Sequence, residues 1–437
     1  MIEIVCHHEV AQLPLGRSGK IPVLMYGASP PRQGTGSIGR PVVAAVRRLG
    51  VPAHAVAFDF LTIAMAVTAA DTFVNRAKAS DGWAREFRVS VSLDNPAPWV
   101  SIKHLLEKAL NFLSGDTWNF QFSGGGPTIP EPQIRGRLTS LDGHDCASLF
   151  SGGLDSSIGA LDLLSKGRRP VLISHAYRGD SDKQAVIRSY LPSDISQFSA
   201  IANPVSKLDE SNDVQMRTRS FNFIAYGALV AATMAKREAA MRPVDLFVPE
   251  NGLIALNPPL TFRRIGSLST RTTHPYFLAL IEEIFAAVKI PVRIMNPYSL
   301  KTKGEMILGC SDRDNLLRFA ARTVSCGKWK RTNIQCGKCV PCLIRRASFH
   351  AAGVKDETKY SPLGTDLTAL LDSNALKDDL MAMILASNRL STTQVRRWIP
   401  NSGPLPSTRI ERDKLLQVAT RGMNEVKSYL HSQRLLG

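Results

Sequence analysis

The chain has 437 residues, 44% of them hydrophobic and 21% charged, which is typical of a soluble globular protein with room for two or three domains. Its net charge of +17, from 54 basic and 37 acidic residues, favours polyanionic partners such as nucleic acid and also suits nucleotide substrates. Seven cysteines, four of them clustered, indicate metal binding in a reducing cytoplasm and exclude a disulfide framework.

Neither a secretory signal nor a membrane span is expected. Residues 1–12 carry charged residues and histidines in place of the apolar core of a signal. The most apolar run, residues 55–70, contains Asp59 and is too short to cross a bilayer, so we interpret it as buried core. The sequence therefore predicts a cytoplasmic protein with no membrane partner.

Residues 1–140 are predicted to form a separate α+β domain of unknown role. Apolar and alternating patterns predict strands at 21–26, 86–93 and 117–122. Helical periodicity predicts helices at 41–49, 61–78 and 99–113, whereas 55–60 is ambiguous. The Gly- and Ser-rich segment 30–39 is interpreted as a surface loop, and the Gly- and Pro-rich segment 124–132 as a linker.

A strand, a glycine turn and a helix follow one another at residues 146–167. Residues 147–150 are apolar, Ser151-Gly152-Gly153 supply the turn, and a helical pattern runs on to Gly167. This layout points unpaired backbone N–H groups and the positive end of a helix at an anion, for which phosphate is the natural candidate. The glycine spacing is not that of a Walker-type loop.

Residues 141–310 alternate strands and helices, as expected of a parallel sheet with helices on both faces. After the first strand and helix, strands are predicted at 170–175, 198–202, 244–248 and 292–295. Helices are predicted at 184–190, 219–237 and 276–288. Glu250 and Asn251 follow the fourth of these strands, at the sheet edge where ligands bind in such folds.

Residues 311–437 contain the cysteine cluster and then a mostly helical tail. Cys326, Cys336, Cys339 and Cys342 have the spacing C-x9-C-x2-C-x2-C, and Gly337 suits the tight turn that brings two thiolates together. Four thiolates predict a closed, tetrahedral zinc site with a structural role. An iron–sulfur cluster is the alternative.

The run SGGLDS at residues 151–156 resembles the SGGxDS signature of the PP-loop ATP pyrophosphatases. The resemblance implies the adenine nucleotide alpha hydrolase-like α/β fold. It also implies that ATP is cleaved between its α and β phosphates, so that a substrate oxygen becomes an adenylate. The β and γ phosphates would lie on the loop formed by Ser151, Gly152, Gly153, Leu154, Asp155, Ser156 and Ser157.

The cysteine segment narrows the resemblance to the 7-cyano-7-deazaguanine synthase (QueC) family. The run CGKCVPCLIRRASFHAAG is similar to the family's zinc segment, and Arg345 matches its arginine after the last cysteine. Arg219 lies in a segment similar to the family's R-N-x-x-F helix start, although Ser220 replaces the asparagine. Lys303 opens a K-x-E segment, and the matched pieces span residues 146–355.

This resemblance implies a site for ATP, Mg²⁺ and a 7-deazaguanine carboxylate, with zinc at the four cysteines. Asp155 would either contact the metal ion or brace the loop. Cations would stabilise the leaving pyrophosphate, because positioning and charge carry most of such chemistry. The expected catalytic residues are Asp155, Ser156, Lys303 and Arg219. The expected substrate contacts are Glu250, Asn251 and Arg271. For Glu250 and Asn251 the alternative is a loop turn with a solvated carboxylate. Arg271 does not match any motif of the family.

Two features depart from the family. Residues 175–179 have the sequence HAYRG, which differs from the family's sequence at the second strand. Residues 1–140 and the long C-terminal tail are segments that a stand-alone QueC protein lacks. The N-terminal extension resembles the QatC type of anti-phage defence proteins. That subgroup implies transfer of the activated deazaguanine to a protein encoded in the same defence operon, whereas ammonia as the acceptor would give the nitrile.

Two other functions remain open. A PP-loop tRNA thiolase or tRNA-modifying ligase would suit the basic charge, and an iron–sulfur cluster would support it. A catalytically inactive, nucleotide-binding scaffold is the second alternative. Nucleic-acid binding is an expectation from the charge alone.

Overall fold

The structure is a computed structural model that describes residues 1–15, 19–27, 30–175, 180–208, 212–213, 216–237, 242–260, 271–329, 333–373 and 377–436. The strands within these ranges are β1 (Ile2–His7), β2 (Lys20–Met25), β3 (Gly36–Ile38), β4 (Glu86–Ser92), β5 (Thr117–Ser123), β6 (Cys146–Leu149), β7 (Pro170–His175), β8 (Gln197–Ala200), β9 (Val205–Ser206), β10 (Val244–Phe247) and β11 (Val292–Met295).

The helices of the first two predicted regions are α1 (Arg40–Arg47), α2 (Ala55–Phe73), α3 (Ala97–Ser101), α4 (Lys103–Ser114), α5 (Leu154–Ser165), α6 (Asp180–Arg188), α7 (Arg219–Arg237), α8 (Gly252–Leu256), α9 (Pro275–Ala287) and α10 (Lys303–Leu308). The helices of the third are α11 (Arg313–Phe319), α12 (Val340–Ala351), α13 (Pro362–Thr365), α14 (Leu367–Asp372), α15 (Asp378–Asn388), α16 (Thr392–Trp398) and α17 (Arg409–Ser432).

Strands β6, β7, β8, β10 and β11 form a parallel sheet in the order β8-β7-β6-β10-β11. Val171 and Ile173 of β7 pack with α7 on one face, and Leu172 packs with α5 on the other. The predicted parallel sheet with helices on both faces is thereby confirmed. Strand order reverses between β6 and β10, and in open parallel sheets ligands bind outside the carboxyl ends at such a reversal.

Strands β1 to β5 form a second sheet, in the order β5-β4-β1-β2-β3, and all five are parallel. The expected α+β organisation of this region is therefore wrong, because its strands pair in parallel; helices α1 and α2 connect β3 to β4, and α3 and α4 connect β4 to β5. The sequence pattern also missed the central strand β1, whose alternation includes Glu3 and His7. The short strand β9, from beyond residue 140, pairs antiparallel with β3.

Helix α2 joins the two sheets through a common hydrophobic core. It includes residues 55–60, whose secondary structure was ambiguous from the sequence. Its length and composition would allow it to span a membrane, but 94% of its most apolar stretch is buried inside the protein. It packs along α7, and Phe60 meets Phe221 of α7 edge to face with ring centroids 5.1 Å apart. Residues 1–140 and 141–310 consequently share one core.

The C-terminal helices build a second apolar cluster. Helices α12, α14, α15, α16 and α17 contribute to it together with α8. The long helix α17 packs against α8, α10 and α12, so the tail lies over the elements that follow β10 and β11.

A buried ion cluster connects the first sheet to the start of α7. The carboxylates of Asp71 and Asp116 are fully buried, and Arg85 pairs with both of them. Arg76 adds a second guanidinium 2.8 Å from Asp116 Oδ1. Asp71 Oδ2 also accepts hydrogen bonds from the backbone N–H and the hydroxyl of Thr218, at 2.9 and 2.8 Å, immediately before α7.

Asp116→Asn tests this cluster. Burial alone would raise the pKa of Asp116, but Arg85 and Arg76 outweigh it and lower the pKa. The variant leaves two buried guanidinium groups short of a counter-charge, so the free energy of unfolding at pH 7 should fall by about 3–5 kcal/mol. The exposed-pair variant Lys103→Met should cost less than about 1 kcal/mol. Urea denaturation measures both.

The lowered pKa also sets a pH dependence. A carboxyl group whose pKa is lower in the folded state contributes stability above its unfolded pKa of about 3.9, and that stability is lost as the pH falls below this value. The wild type should therefore lose stability more steeply than Asp116→Asn on acidification from pH 5 to about 3. Equal slopes for the two proteins would show that Asp116 is not held by these arginines.

Candidate functional site

The turn between β6 and α5 has the geometry of an anion-binding loop. Gly152 has a φ of +81°, a left-handed conformation that glycine adopts without strain. Gly153 is the N-cap of α5, and no side chain caps this helix. Ser156 and Ser157 donate their hydroxyls to the Gly153 carbonyl at 3.0 and 2.8 Å. The loop therefore combines uncapped backbone N–H groups with the positive end of a helix.

Asp155, in the first turn of α5, is held by residues from two other elements. Asp155 is buried, with 5% of the residue's surface exposed. Oδ2 accepts the backbone N–H and the side-chain amide of Asn251, at 3.1 and 2.7 Å. Oδ1 pairs with the ammonium of Lys303. Because both oxygens are engaged by protein groups, the arrangement favours bracing of the loop over metal contact.

The neighbouring carboxyl groups of Asp155 and Glu250 titrate in opposite directions. Burial would raise the pKa of Asp155, but the Lys303 charge and hydrogen bonds with Glu250 and Asn251 lower it to about 2. Burial, followed by the charge of Asp155, raises the pKa of Glu250 well above its usual value. Asp155 is thus ionised at neutral pH, while burial and the Asp155 charge both disfavour ionisation of Glu250, which remains partly exposed.

A second polar cluster lies on the β7 side of the loop. Arg219, the first residue of α7, pairs with Asp180 at 2.7 Å, and its Nε donates to His175 Nε2 at 3.1 Å. Gln184 donates to the carbonyl oxygens of His175 and Ser151, at 3.3 and 3.4 Å. Arg219 is therefore connected to the loop through His175 and Gln184.

Arg271 is not brought to this site. Its guanidinium donates to the carbonyl oxygens of Phe112 and Ser402, at 2.9 and 3.0 Å, and lies over the Phe112 ring. These contacts tie α4 to the C-terminal region and give no support to a substrate role. Residues 176–179, where the sequence departs from the family pattern, lie outside the described residues.

The four predicted cysteine ligands converge on one point. Their sulfur atoms all lie within 4.8 Å of one another. The Cys336–Cys342 and Cys326–Cys339 sulfur pairs are 4.0 and 3.9 Å apart. Four thiolates around one zinc ion, each about 2.3 Å from the metal, lie about 3.8 Å from one another. The spacing fits a single tetrahedral ion, whereas an iron–sulfur cluster would place several atoms between the thiolates.

The segment that leads into the cysteine site also braces the turn between β6 and α5. Arg345, fully buried in α12, donates to Thr323 Oγ1 at 2.7 Å and to the carbonyl of Ala320 at 2.6 Å. Val324, the residue after Thr323, donates its backbone N–H to the Gly152 carbonyl at 3.1 Å. The segment that leads into the first cysteine therefore contacts the turn directly.

Sequence reasoning missed several residues that complete the site. His175, Asp180 and Gln184 form the cluster around Arg219, and no motif in the sequence marks them. Thr302 and Glu305 form a capping box at the start of α10, and their T-x-x-E spacing is a signal that could have been read.

Comparisons with known proteins give two short matches. One is to a 7-cyano-7-deazaguanine synthase of Paracoccus denitrificans (strain Pd 1222), 34% identical over 68 residues, which cover 16% of this chain and 27% of that protein. The other is to a 7-cyano-7-deazaguanine synthase of Rhizobium leguminosarum bv. trifolii (strain WSM2304), 36% identical over 69 residues, which cover 16% and 27%. The chain thus matches about a quarter of the length of these relatives. No family model and no solved structure matches it.

Cys339→Ser tests the metal site. The variant should lose its metal and melt at a lower temperature, because the binding free energy of a structural zinc ion is folding free energy. Elemental analysis of the purified wild type should give zinc at about one ion per chain. Cys6→Ala, which alters a buried thiol outside the cluster, should keep the metal. Iron with acid-labile sulfide, or unchanged melting without metal, would contradict the assignment.

Proposed function

We propose that the chain is an ATP-dependent adenylating ligase of QueC type. It activates the carboxylate of a 7-carboxy-7-deazaguanine-like substrate and releases pyrophosphate. The observation that carries the proposal is the convergence of the uncapped loop 151–157 with Asp155, Asn251 and Lys303 at the strand reversal between β6 and β10. The short matches to 7-cyano-7-deazaguanine synthases support the same reaction class.

The loop is suited to the β and γ phosphates of ATP. The first turn of α5 offers backbone N–H groups and a positive dipole end, and Gly152 and Gly153 allow phosphate oxygens close to the backbone. The buried negative charge of Asp155 would oppose this binding, but the Lys303 ammonium compensates it. Mg²⁺ would accompany the nucleotide and neutralise part of the phosphate charge.

In the first step, a carboxylate oxygen of the substrate attacks the α phosphorus. The bond from that phosphorus to the oxygen bridging to the β phosphate breaks, and pyrophosphate leaves with that electron pair. Lys303 and Arg219, on opposite sides of the loop, are the cations that would stabilise the leaving charge. In the second step, an amine attacks the acyl carbon, loses a proton and displaces AMP.

Glu250 is suited to recognise the deazaguanine edge, whereas the fully buried Asn251 supports it by donating to Glu250 Oε1 at 3.2 Å. Glu250 is partly exposed beside the loop, and its carboxyl group can accept hydrogen bonds from ring N–H and amino groups, as acidic residues do with bases. Burial and the charge of Asp155 raise the pKa of Glu250, so hydrogen-bond donors of a bound substrate would favour its ionised carboxylate and lower that pKa.

The acceptor amine is either ammonia, which gives the amide and then, after a second ATP-dependent activation that removes water, the nitrile, or a protein encoded nearby in an anti-phage defence operon of the QatC type. The N-terminal sheet and the C-terminal tail, which extend beyond the QueC-like part, support the second acceptor. We place this activity in the cytoplasm.

A tRNA-modifying PP-loop enzyme is a weaker candidate, because the sulfur spacing suits one metal ion and not a cluster.

Lys303→Met tests the catalytic site. Removal of the ammonium leaves the Asp155 carboxylate uncompensated next to the phosphates, so AMP formation from ATP and 7-carboxy-7-deazaguanine should fall at least about 100-fold, as for loss of a preorganised charged group. Lys301→Met, which changes an exposed lysine two residues earlier, should retain activity. Chromatographic quantification of AMP and ADP measures the effect. Wild-type production of ADP in place of AMP would refute the adenylating mechanism.

The acceptor is identified by mass spectrometry. The wild type is incubated with ATP, Mg²⁺, ammonium and 7-carboxy-7-deazaguanine, with and without the proteins encoded beside it. A modified polypeptide is expected when those proteins are present, and the free amide or nitrile when ammonia is the acceptor. Consumption of ATP with neither product would contradict both acceptors.

A further inference from the structure

The C-terminal helix α17 caps the short helix that carries Lys303. Glu425 on α17 accepts the backbone N–H of Gly304 at 3.2 Å and the hydroxyl of Thr302. Thr302 is the N-cap of α10, and its hydroxyl also accepts the Glu305 N–H at 3.0 Å. A residue of the tail thus completes the cap directly around Lys303.

The same helix closely approaches both elements that hold Asp155. A Cβ atom at Gly304 would lie 2.5 Å from Glu425 Oε1, and one at Gly252, the residue after Asn251, would lie 2.8 Å from Val418 Cγ2. Real Cβ atoms do not come so close to other atoms, so the glycines permit a contact that other residues would prevent. Arg421 adds a bond to Glu305 at 2.6 Å.

We propose that Glu425 is a positioning residue for the adenylating site: through α10 it sets the place of the Lys303 ammonium against Asp155 and the phosphate loop. The inference rests on the proposed function. Helix α10 has six residues, and so short a helix is not stable by itself. Its orientation therefore depends on the groups that cap and pack it, and Glu425 is the capping group contributed by the tail.

Amine labelling tests the positioning independently of activity. In the wild type, Lys303 is 6% exposed and should react slowly with acetic anhydride, whereas the exposed Lys301 provides an internal reference. Glu425→Ala is expected to raise Lys303 labelling at least fivefold relative to Lys301. Glu425→Gln, which keeps one acceptor oxygen, should give an intermediate value.

The matched control is Leu430→Ala, which removes a fully buried side chain from the same helix. Measured below its melting transition, it should leave Lys303 protected. Equal Lys303 labelling in Glu425→Ala and Leu430→Ala would overturn the proposal, because loss of tail packing would then explain the effect.

Kinetics provide the second readout. In Glu425→Ala, kcat for AMP formation should fall at least tenfold while KM for ATP changes less than twofold, since the loop N–H groups are untouched. Leu430→Ala should keep its kcat. Full kcat in Glu425→Ala would refute the positioning role. If the wild type forms no AMP, the proposed function fails, and the labelling result still decides whether Glu425 positions Lys303.

Discussion

A buried negative charge beside the loop of residues 151–157 is the constraint from which much of this structure follows. Asp155 lies in the first turn of α5, where its charge suits the helix dipole but opposes any phosphate bound to the same turn. The charge is tolerable because Lys303 and Asn251 compensate it. Lys303 and Asn251 lie 148 and 96 positions after Asp155 in the chain. The loop therefore acquires these contacts only when the whole chain has folded.

The elements that supply these compensating groups are themselves short and need support. Helices α8 and α10 have five and six residues, respectively, and α17 packs against both. On the other side of the loop, Arg219 begins α7, and the preceding Thr218 is bonded to the buried Asp71 of α2. The N-terminal sheet and the tail therefore both contribute to the placement of charged groups at the loop, in addition to any role in choosing an acceptor.

The sequence predicted the parts of this arrangement that local pattern encodes. The strand, turn and helix at residues 146–165 and the four cysteines were recognisable because their residue types and spacing are themselves the signal. The parallel pairing of the first sheet was not recognisable, because β1 mixes polar and apolar residues and pairs with β4, which lies far along the chain. The cluster of His175, Asp180 and Arg219 was missed because its members come from three separate elements. The expected substrate role of Arg271 rested on charge alone, which does not specify a location.

The cysteine site gives the loop a third support that differs in kind from the other two. Lys303 and Arg219 act through charge, whereas the cysteine segment acts on the backbone, through the bond from Val324 to the Gly152 carbonyl. That segment is short and carries few apolar side chains, so it cannot be ordered by core packing. Four converging cysteines, which could bind one zinc ion, and the bonds of the buried Arg345 take the place of such a core. A metal ion bound at cysteines more than 170 residues further along the chain would therefore also stabilise the backbone around Gly152.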